Sequence, residues 1–170
     1  MHRQQETDIH EFVQNFELAE FLSGSKFLIT GATGLIGSTL VYCLLALNQH
    51  IQITCPVRNL KRAHQMYGDE ASAINFVECD LVEYLNGLTT NDYFQYIIHC
   101  ASPTAGKFMT EHPVETYELA YDTTRALLKH AQRIDARGLV YVSSLEYYGQ
   151  NFDDAIITED KQGYVDNTDP

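Results

Sequence analysis

Residues 30–37, Thr-Gly-Ala-Thr-Gly-Leu-Ile-Gly, decide the fold that this sequence predicts. They follow an apolar segment, 26–30, that is typical of a short buried strand, and they open an apolar segment, 35–47, that is typical of a helix. In such a turn the first glycine permits a sharp bend, the second lets backbone amides approach a pyrophosphate, and the third allows close helix–strand packing. The helix start adds N–H groups and partial positive charge. The stretch therefore predicts a dinucleotide-binding loop, with a glycine turn that holds no ligand as the alternative.

The rest of the chain alternates between strand-like and helix-like segments. Short apolar strands separated by helices predict an α/β fold in which a parallel sheet is covered on both faces. Ahead of the first strand, Thr7 to Leu22 carry apolar residues at helical spacing, which predicts an extra N-terminal helix. Further strands are predicted at 51–57, 74–78, 96–100 and 138–143, and further helices at 60–67 and 113–133.

The charge of the chain narrows the classes of partner. Its 170 residues include 23 Asp and Glu against 11 Lys and Arg, which gives a net charge of −12. Nucleic acids and anionic membranes bind basic surfaces, so we expect neither as a partner. The longest apolar run, Leu40 to Leu47, is far shorter than a membrane span.

The four cysteines form no C-x-x-C pair, so we expect reduced core thiols, a cytoplasmic location and no metal site.

Three more motifs follow predicted strands and share an order with the glycine loop. They are Glu78-Cys79-Asp80-Leu81, His99-Cys100-Ala101-Ser102, and the run from Val140 to Gly149, Val-Tyr-Val-Ser-Ser-Leu-Glu-Tyr-Tyr-Gly. From Lys26 onward the chain thus resembles the extended short-chain dehydrogenase/reductase family of sugar-nucleotide epimerases, dehydratases and decarboxylases. The resemblance implies a Rossmann-type, doubly wound parallel sheet with strand order 3-2-1-4-5. It also implies that a dinucleotide cofactor contacts Gly31, Ala32, Thr33, Gly34, Leu35, Ile36, Gly37, Asp80, Leu81, Cys100, Ala101 and Ser102.

Two of these motifs have structural alternatives. By resemblance, Asp80 and the amide after it contact the adenine amino group, but an aspartate at this place is also a good N-cap for the helix that follows. Both roles can hold together. We expect His99 to be a packed strand residue rather than a catalyst.

The end of the second strand bears on which dinucleotide binds. A NAD-specific site usually carries an acid there, about 20 residues past the glycines, to bind the ribose 2′-hydroxyl. Here the segment reads Cys55-Pro56-Val57-Arg58-Asn59, with no acid. The Arg58 guanidinium suits a 2′-phosphate. The sequence therefore favours NADP as the cofactor, with NAD as the alternative.

The run that ends in Tyr148-Gly149 carries the expected catalytic side chains. The resemblance implies that the Ser144 hydroxyl binds the substrate oxygen beside the hydride-bearing carbon. It places Glu146 where the family's dehydratases and decarboxylases carry a catalytic glutamate, whereas a surface acid is the alternative. Leu145 replaces the aspartate of typical dehydratases. Epimerisation, dehydration and decarboxylation therefore all stay open.

The family's Tyr-x-x-x-Lys pair is absent from this sequence. We therefore expect a chain that lacks the C-terminal part of the fold and is inactive by itself, arranged as a helical extension (1–24), a Rossmann domain (25–150) and the start of a catalytic portion (151–170). The expected partners are a nucleotide-sugar and a second copy of the chain. The alternatives are part of an NADPH-dependent carbonyl reductase that acts on a non-sugar, and a non-catalytic module that senses dinucleotides.

Overall fold

Five parallel strands form one sheet in the computed structural model of the protein, which describes residues 3–103, 106–149, 156–160 and 163. The order across the sheet is β3-β2-β1-β4-β5. The predicted fold class and strand order are therefore confirmed. The strands are β1 (Lys26–Thr30), β2 (Gln52–Val57), β3 (Ile74–Glu78), β4 (Tyr96–His99) and β5 (Gly138–Tyr141).

Helices connect the strands and cover both faces of the sheet. Short 3-10 turns at Glu20–Leu22, Gly68–Ala73 and Leu145–Tyr148 complete the described elements. No helix within the described ranges is long and apolar enough to cross a membrane. The helices are α1 (Arg3–Asn15), α2 (Leu35–Ala46), α3 (Leu60–Tyr67), α4 (Leu81–Gly87), α5 (Gly106–Glu111) and α6 (Pro113–Ile134).

The N-terminal helix differs from its prediction at both ends. A helix from Thr7 to Leu22 was expected, whereas α1 begins at Arg3 and ends at Asn15. The chain then forms tight turns, in one of which Phe21 N–H donates to Leu18 O at 3.1 Å. Phe16 still packs against the core beyond the end of α1. Ala19 and Leu22 pack against the same cluster, so the apolar spacing identified the packing residues correctly although the α-helix is shorter than predicted.

Two apolar clusters cover opposite faces of the sheet, because successive residues of a strand point to opposite sides. Ile29 belongs to the cluster formed with α1, α2 and α3, and its neighbour Leu28 belongs to the cluster formed with α4 and α6. Burial raises the pKa of all four cysteine thiols, which are free. They are therefore weak nucleophiles.

The registers of the strands bring their carboxyl ends to one edge. Thr30 pairs with His99 between β1 and β4, and Val57 pairs with Glu78 between β2 and β3. Since β2 and β4 flank β1, the chain leaves β1 in one direction and returns to the other side of it. Doubly wound sheets bind ligands in the crevice at this switch point.

Candidate functional site

The glycine loop lies at the switch point and bends sharply between β1 and α2. Gly31 has a φ of +71°, and the N–H of Gly34 donates to its carbonyl at 2.9 Å. Gly34 is the N-cap of α2, and it offers no side chain to the first turn of the helix. Helices leave their first N–H groups without intrahelical partners. The amides at the start of α2 are therefore available to an anion in the crevice.

The space around two glycines explains why the loop needs them. A Cβ on Gly31 would lie 2.7 Å from the backbone nitrogen of Ala101 and 2.7 Å from the carbonyl carbon of Cys100. A Cβ on Gly37 would overlap the Gly31 carbonyl oxygen and would lie 3.1 Å from the Ala32 Cα. The loop after β1 thus lies directly on the segment after β4 and on the first turns of α2.

Two large apolar side chains of the first turn of α2 face solvent. Leu35 is 84% exposed and Ile36 is 52% exposed, whereas Ala32 in the same loop is fully buried. Apolar side chains grouped beside polar N–H groups are typical of a small-molecule site. Here they border the amides at the start of α2.

Tyr67, at the end of α3, forms a hydrogen bond with the glycine loop. Its hydroxyl donates to the Ala32 carbonyl oxygen at 2.6 Å, and the side chain is only 1% exposed. Burial raises the pKa of Tyr67, with smaller contributions from Cys55 and Tyr42. The hydroxyl therefore stays protonated and remains a donor. The sequence did not reveal this role, because the two residues lie far apart along the chain.

His99 joins β1, β4 and α6 through a buried hydrogen-bond network. Its Nδ1 lies 2.6 Å from Thr30 Oγ1, and its Nε2 lies 3.2 Å from Thr123 Oγ1. The Thr123 hydroxyl donates its proton to Leu119 O at 2.5 Å, so it accepts from His99 Nε2–H. Nδ1 then accepts from the Thr30 hydroxyl, whose oxygen in turn accepts from Ala101 N–H at 3.2 Å. The ring is therefore neutral in this arrangement, and burial lowers the pKa of His99.

Hydrogen bonds to Thr30, the last residue of β1, also hold the segment after β4. Cys100 N–H donates to Thr30 O at 3.2 Å, which extends the pairing of β4 with β1 beyond His99. Ala101 is half-buried and Ser102 is exposed. The predicted cofactor residues Cys100, Ala101 and Ser102 therefore lie directly beside the glycine loop, with Cys100 and Ala101 packed against Gly31.

At the end of β2, Arg58 is exposed and forms no ion pair within the described part of the chain. The neighbouring Asn59 caps α3, because its Oδ1 accepts from Arg62 N–H at 2.8 Å. An acid does reach this place, but it comes from the next strand: Glu78 Oε1 accepts from Leu60 N–H at 2.9 Å. The sequence did not reveal Glu78 at this place, because Glu78 belongs to the next strand, whereas the acid of NAD-specific sites usually ends β2 itself. Pairing β3 with β2 in register would have revealed it.

Asp80 follows β3 and caps α4. Its carboxylate accepts from Glu83 N–H at 3.0 Å, and the side chain is exposed. The capping alternative is therefore confirmed, while the predicted contact with adenine stays a prediction. Leu81, the first residue of α4, packs against the core under that helix.

The predicted catalytic serine lies beyond the end of β5. Strand pairing continues to Val142, whose N–H donates to His99 O at 3.0 Å. Ser144 is exposed, and its carbonyl accepts from Tyr147 N–H at 3.1 Å in the 3-10 turn. The backbone of Glu146 belongs to that turn, but its side chain lies outside the described residues. The topology thus places Ser144 at the edge shared with the crevice, and the role of Glu146 stays a prediction.

Three comparisons with known proteins bear on this site. The model of the NAD dependent epimerase/dehydratase family matches residues 27–168. Equisetin synthetase of Fusarium heterosporum is 33% identical over 81 residues, which are 44% of this chain and 2% of that protein.

Solved structures share the fold at low sequence identity. A UDP-glucose-4-epimerase of Stenotrophomonas maltophila, with bound NAD and formylated UDP-arabinopyranose, matches 81% of this chain and 42% of its own, with 19% identity and a TM-score of 0.67. An epimerase of Methanothermobacter thermautotrophicus matches 85% of this chain and 44% of its own, with 23% identity and a TM-score of 0.66. The chain thus spans about two fifths of the length of these structures.

Proposed function

Because this chain belongs to the NAD-dependent epimerase/dehydratase family, we propose that it binds a nicotinamide dinucleotide and forms the cofactor-binding part of an enzyme that acts on nucleotide-sugars. The solved epimerase with bound NAD and a UDP-sugar supports this substrate class. Epimerisation, dehydration and decarboxylation all begin by oxidising a sugar hydroxyl.

The observation that carries the proposal is the backbone cradle at the switch point. The amides of Leu35, Ile36 and Gly37 bind the pyrophosphate at the positive end of α2. A side chain on Gly31 would collide with the backbone of Cys100 and Ala101, so glycine is what lets the two loops that form the cradle lie against each other. The residues present therefore fit a dinucleotide.

Each remaining predicted residue has a place along this cofactor. Asp80 and the Leu81 amide bind the adenine, and Arg58 binds the adenosine ribose side. This guanidinium favours NADP, while NAD also binds. Cys100, Ala101 and Ser102 support the pyrophosphate and the nicotinamide ribose.

The side chains that act on the substrate belong to the segment after β5. The cofactor supplies a hydride acceptor. Ser144 hydrogen-bonds the sugar oxygen that becomes a carbonyl, and Glu146 moves a proton at the neighbouring position. The sequence holds no Tyr-x-x-x-Lys pair to ionise the sugar hydroxyl, so we expect no turnover by this chain alone.

Calorimetric titration with NAD and with NADP tests the proposal. We expect saturable binding of one dinucleotide per chain, and competition by ADP-ribose, which carries the pyrophosphate. Nicotinamide mononucleotide, which lacks the pyrophosphate bridge, is the matched control and should compete poorly. Absence of binding by both dinucleotides would contradict the proposal.

A second candidate is a carbonyl reductase that uses NADPH on a non-sugar substrate. Arg58, which is exposed and forms no ion pair with the residues that the structure describes, favours NADPH, and the name of the partial match, equisetin synthetase, mentions no sugar. Thermal-shift screening separates the candidates, because stabilisation by UDP-sugars on top of the dinucleotide supports the first. Stabilisation by non-sugar carbonyl compounds alone supports the second.

A further inference from the structure

The carboxylate of Glu78 lies against the beginning of α3, close to the predicted position of the adenosine ribose. β3 pairs with β2 so that Glu78 stands opposite Val57, the last residue of β2. Its Oε1 accepts from Leu60 N–H at 2.9 Å, across the turn that carries Arg58. An acid from the neighbouring strand therefore reaches the loop in which NAD-specific sites usually carry their own acid.

The chain's own oxygens occupy the start of α3. Leu60 N–H, in the first turn, donates to Glu78, and Arg62 N–H donates to the Asn59 side chain at 2.8 Å. Free N–H groups at a helix start would attract a phosphate. A 2′-phosphate placed at this helix start would meet the Glu78 carboxylate instead.

Arg58 has the opposite effect on a 2′-phosphate, because its guanidinium attracts the negative charge. Its side chain is exposed and forms no ion pair with Glu78 or with any other acid among the described residues. One cation that attracts a 2′-phosphate and one anion that repels it therefore flank the same turn. The selectivity between NAD and NADP depends on the balance of the two charges.

We propose that Glu78 is a specificity-determining residue of the dinucleotide site: its carboxylate opposes the 2′-phosphate of NADP and limits the preference that Arg58 creates. The proposal rests on the proposed function. In NAD the same place holds an uncharged 2′-hydroxyl, so the negative charge carries little penalty there.

The test measures the ratio of the dissociation constant of NAD to that of NADP. Glu78→Gln keeps an oxygen for Leu60 N–H but removes the charge, so we expect the ratio to rise about tenfold, mostly through tighter binding of NADP. Glu78→Asp keeps the charge and should leave the ratio near that of the wild type. Glu118→Gln, a charge change on α6, is the matched control and should also leave it unchanged.

The outcomes separate this inference from the proposed function. Equal changes in both dissociation constants in Glu78→Gln would show that Glu78 only caps α3, and would overturn the inference alone. No binding of either dinucleotide by the wild type would overturn the proposed function and this inference with it. If Glu78→Gln fails to fold, Glu78→Ala carries the test through the same ratio. Added salt should reduce the effect of the charge, because it screens exposed charges.

Discussion

Replacing Gly37 by alanine distinguishes a structural glycine of the cofactor loop from an ordinary helical glycine. Gly37 lies in the first turn of α2. Helix propensity alone predicts that alanine there stabilises the fold by up to about 1 kcal/mol. The contacts predict the opposite sign, because the new methyl group would overlap the Gly31 carbonyl oxygen and lie 2.8 Å from the Gly31 carbonyl carbon.

The expected loss follows from these backbone contacts. Overpacking costs about 1–3 kcal/mol, and we expect the upper end, because backbone atoms cannot rotate away as a side chain can. Less the propensity gain, the net loss is about 2 kcal/mol. For a chain of this length that lowers the melting temperature by about 4–8 °C.

Gly87→Ala is the matched control. Gly87 also lies in a helix, but a Cβ there has nothing within contact distance. We expect its melting temperature to stay level or rise by up to about 4 °C. Calorimetric melting of the wild type and the two variants measures their stability, and titration with NADP measures whether the loop still binds the dinucleotide. If Gly37→Ala melts as high as Gly87→Ala and binds NADP like the wild type, the steric account of the loop is wrong.

Four further predictions concern charge, pH, assembly and activity. Arg58→Ala should remove most of the preference for NADP, a loss of about 1.5–3 kcal/mol in NADP binding, with little change for NAD; calorimetry that shows equal losses for both would refute this. Burial lowers the pKa of His99 in the folded chain. As the pH falls through about 6.5, the unfolded chain therefore binds a proton at this histidine before the folded chain does, and the free energy of unfolding decreases. Denaturant unfolding at several pH values should show a weaker drop for His99→Gln, with the exposed His10→Gln as control; identical slopes would contradict the network. Val140 and Tyr141 of the edge strand β5 are half exposed, and we expect self-association through that edge or through α1, whereas a clean monomer in sedimentation at micromolar concentration would oppose it. The chain mixed with NAD or NADP and UDP-glucose should show no reduced-nicotinamide absorbance, and a rate of about 1 per second or more would mean that another residue of this chain replaces the missing Tyr-x-x-x-Lys pair.

Local sequence patterns predicted the fold well. The glycine spacing and the apolar segments around it predicted β1, α2 and the turn between them, because each depends on neighbours in sequence. The end of α1 was less predictable. Phe16 packs against the core although the α-helix ends one residue before it, so the apolar pattern predicted the packing better than the length of the helix.

The supporting contacts of the site could not be read from the sequence. His99 reaches Thr30 and Thr123 only after β1, β4 and α6 have packed together. Glu78 reaches the turn after β2 only through the register of β3. Both side chains looked like ordinary strand residues, since their partners are distant in sequence. Asp80 was predictable as a cap because its partner lies within the next turn.

An amide-resolved NMR titration of the isotope-labelled chain with NADP tests the central claim, that the loop between β1 and α2 binds the pyrophosphate of a dinucleotide. We predict saturable shifts of the amides of Leu35, Ile36, Gly37 and Ala101, with none at Val13 in the groove between α1 and α2. Saturable binding whose shifts avoid the glycine loop, or no shift at any amide, would contradict the account.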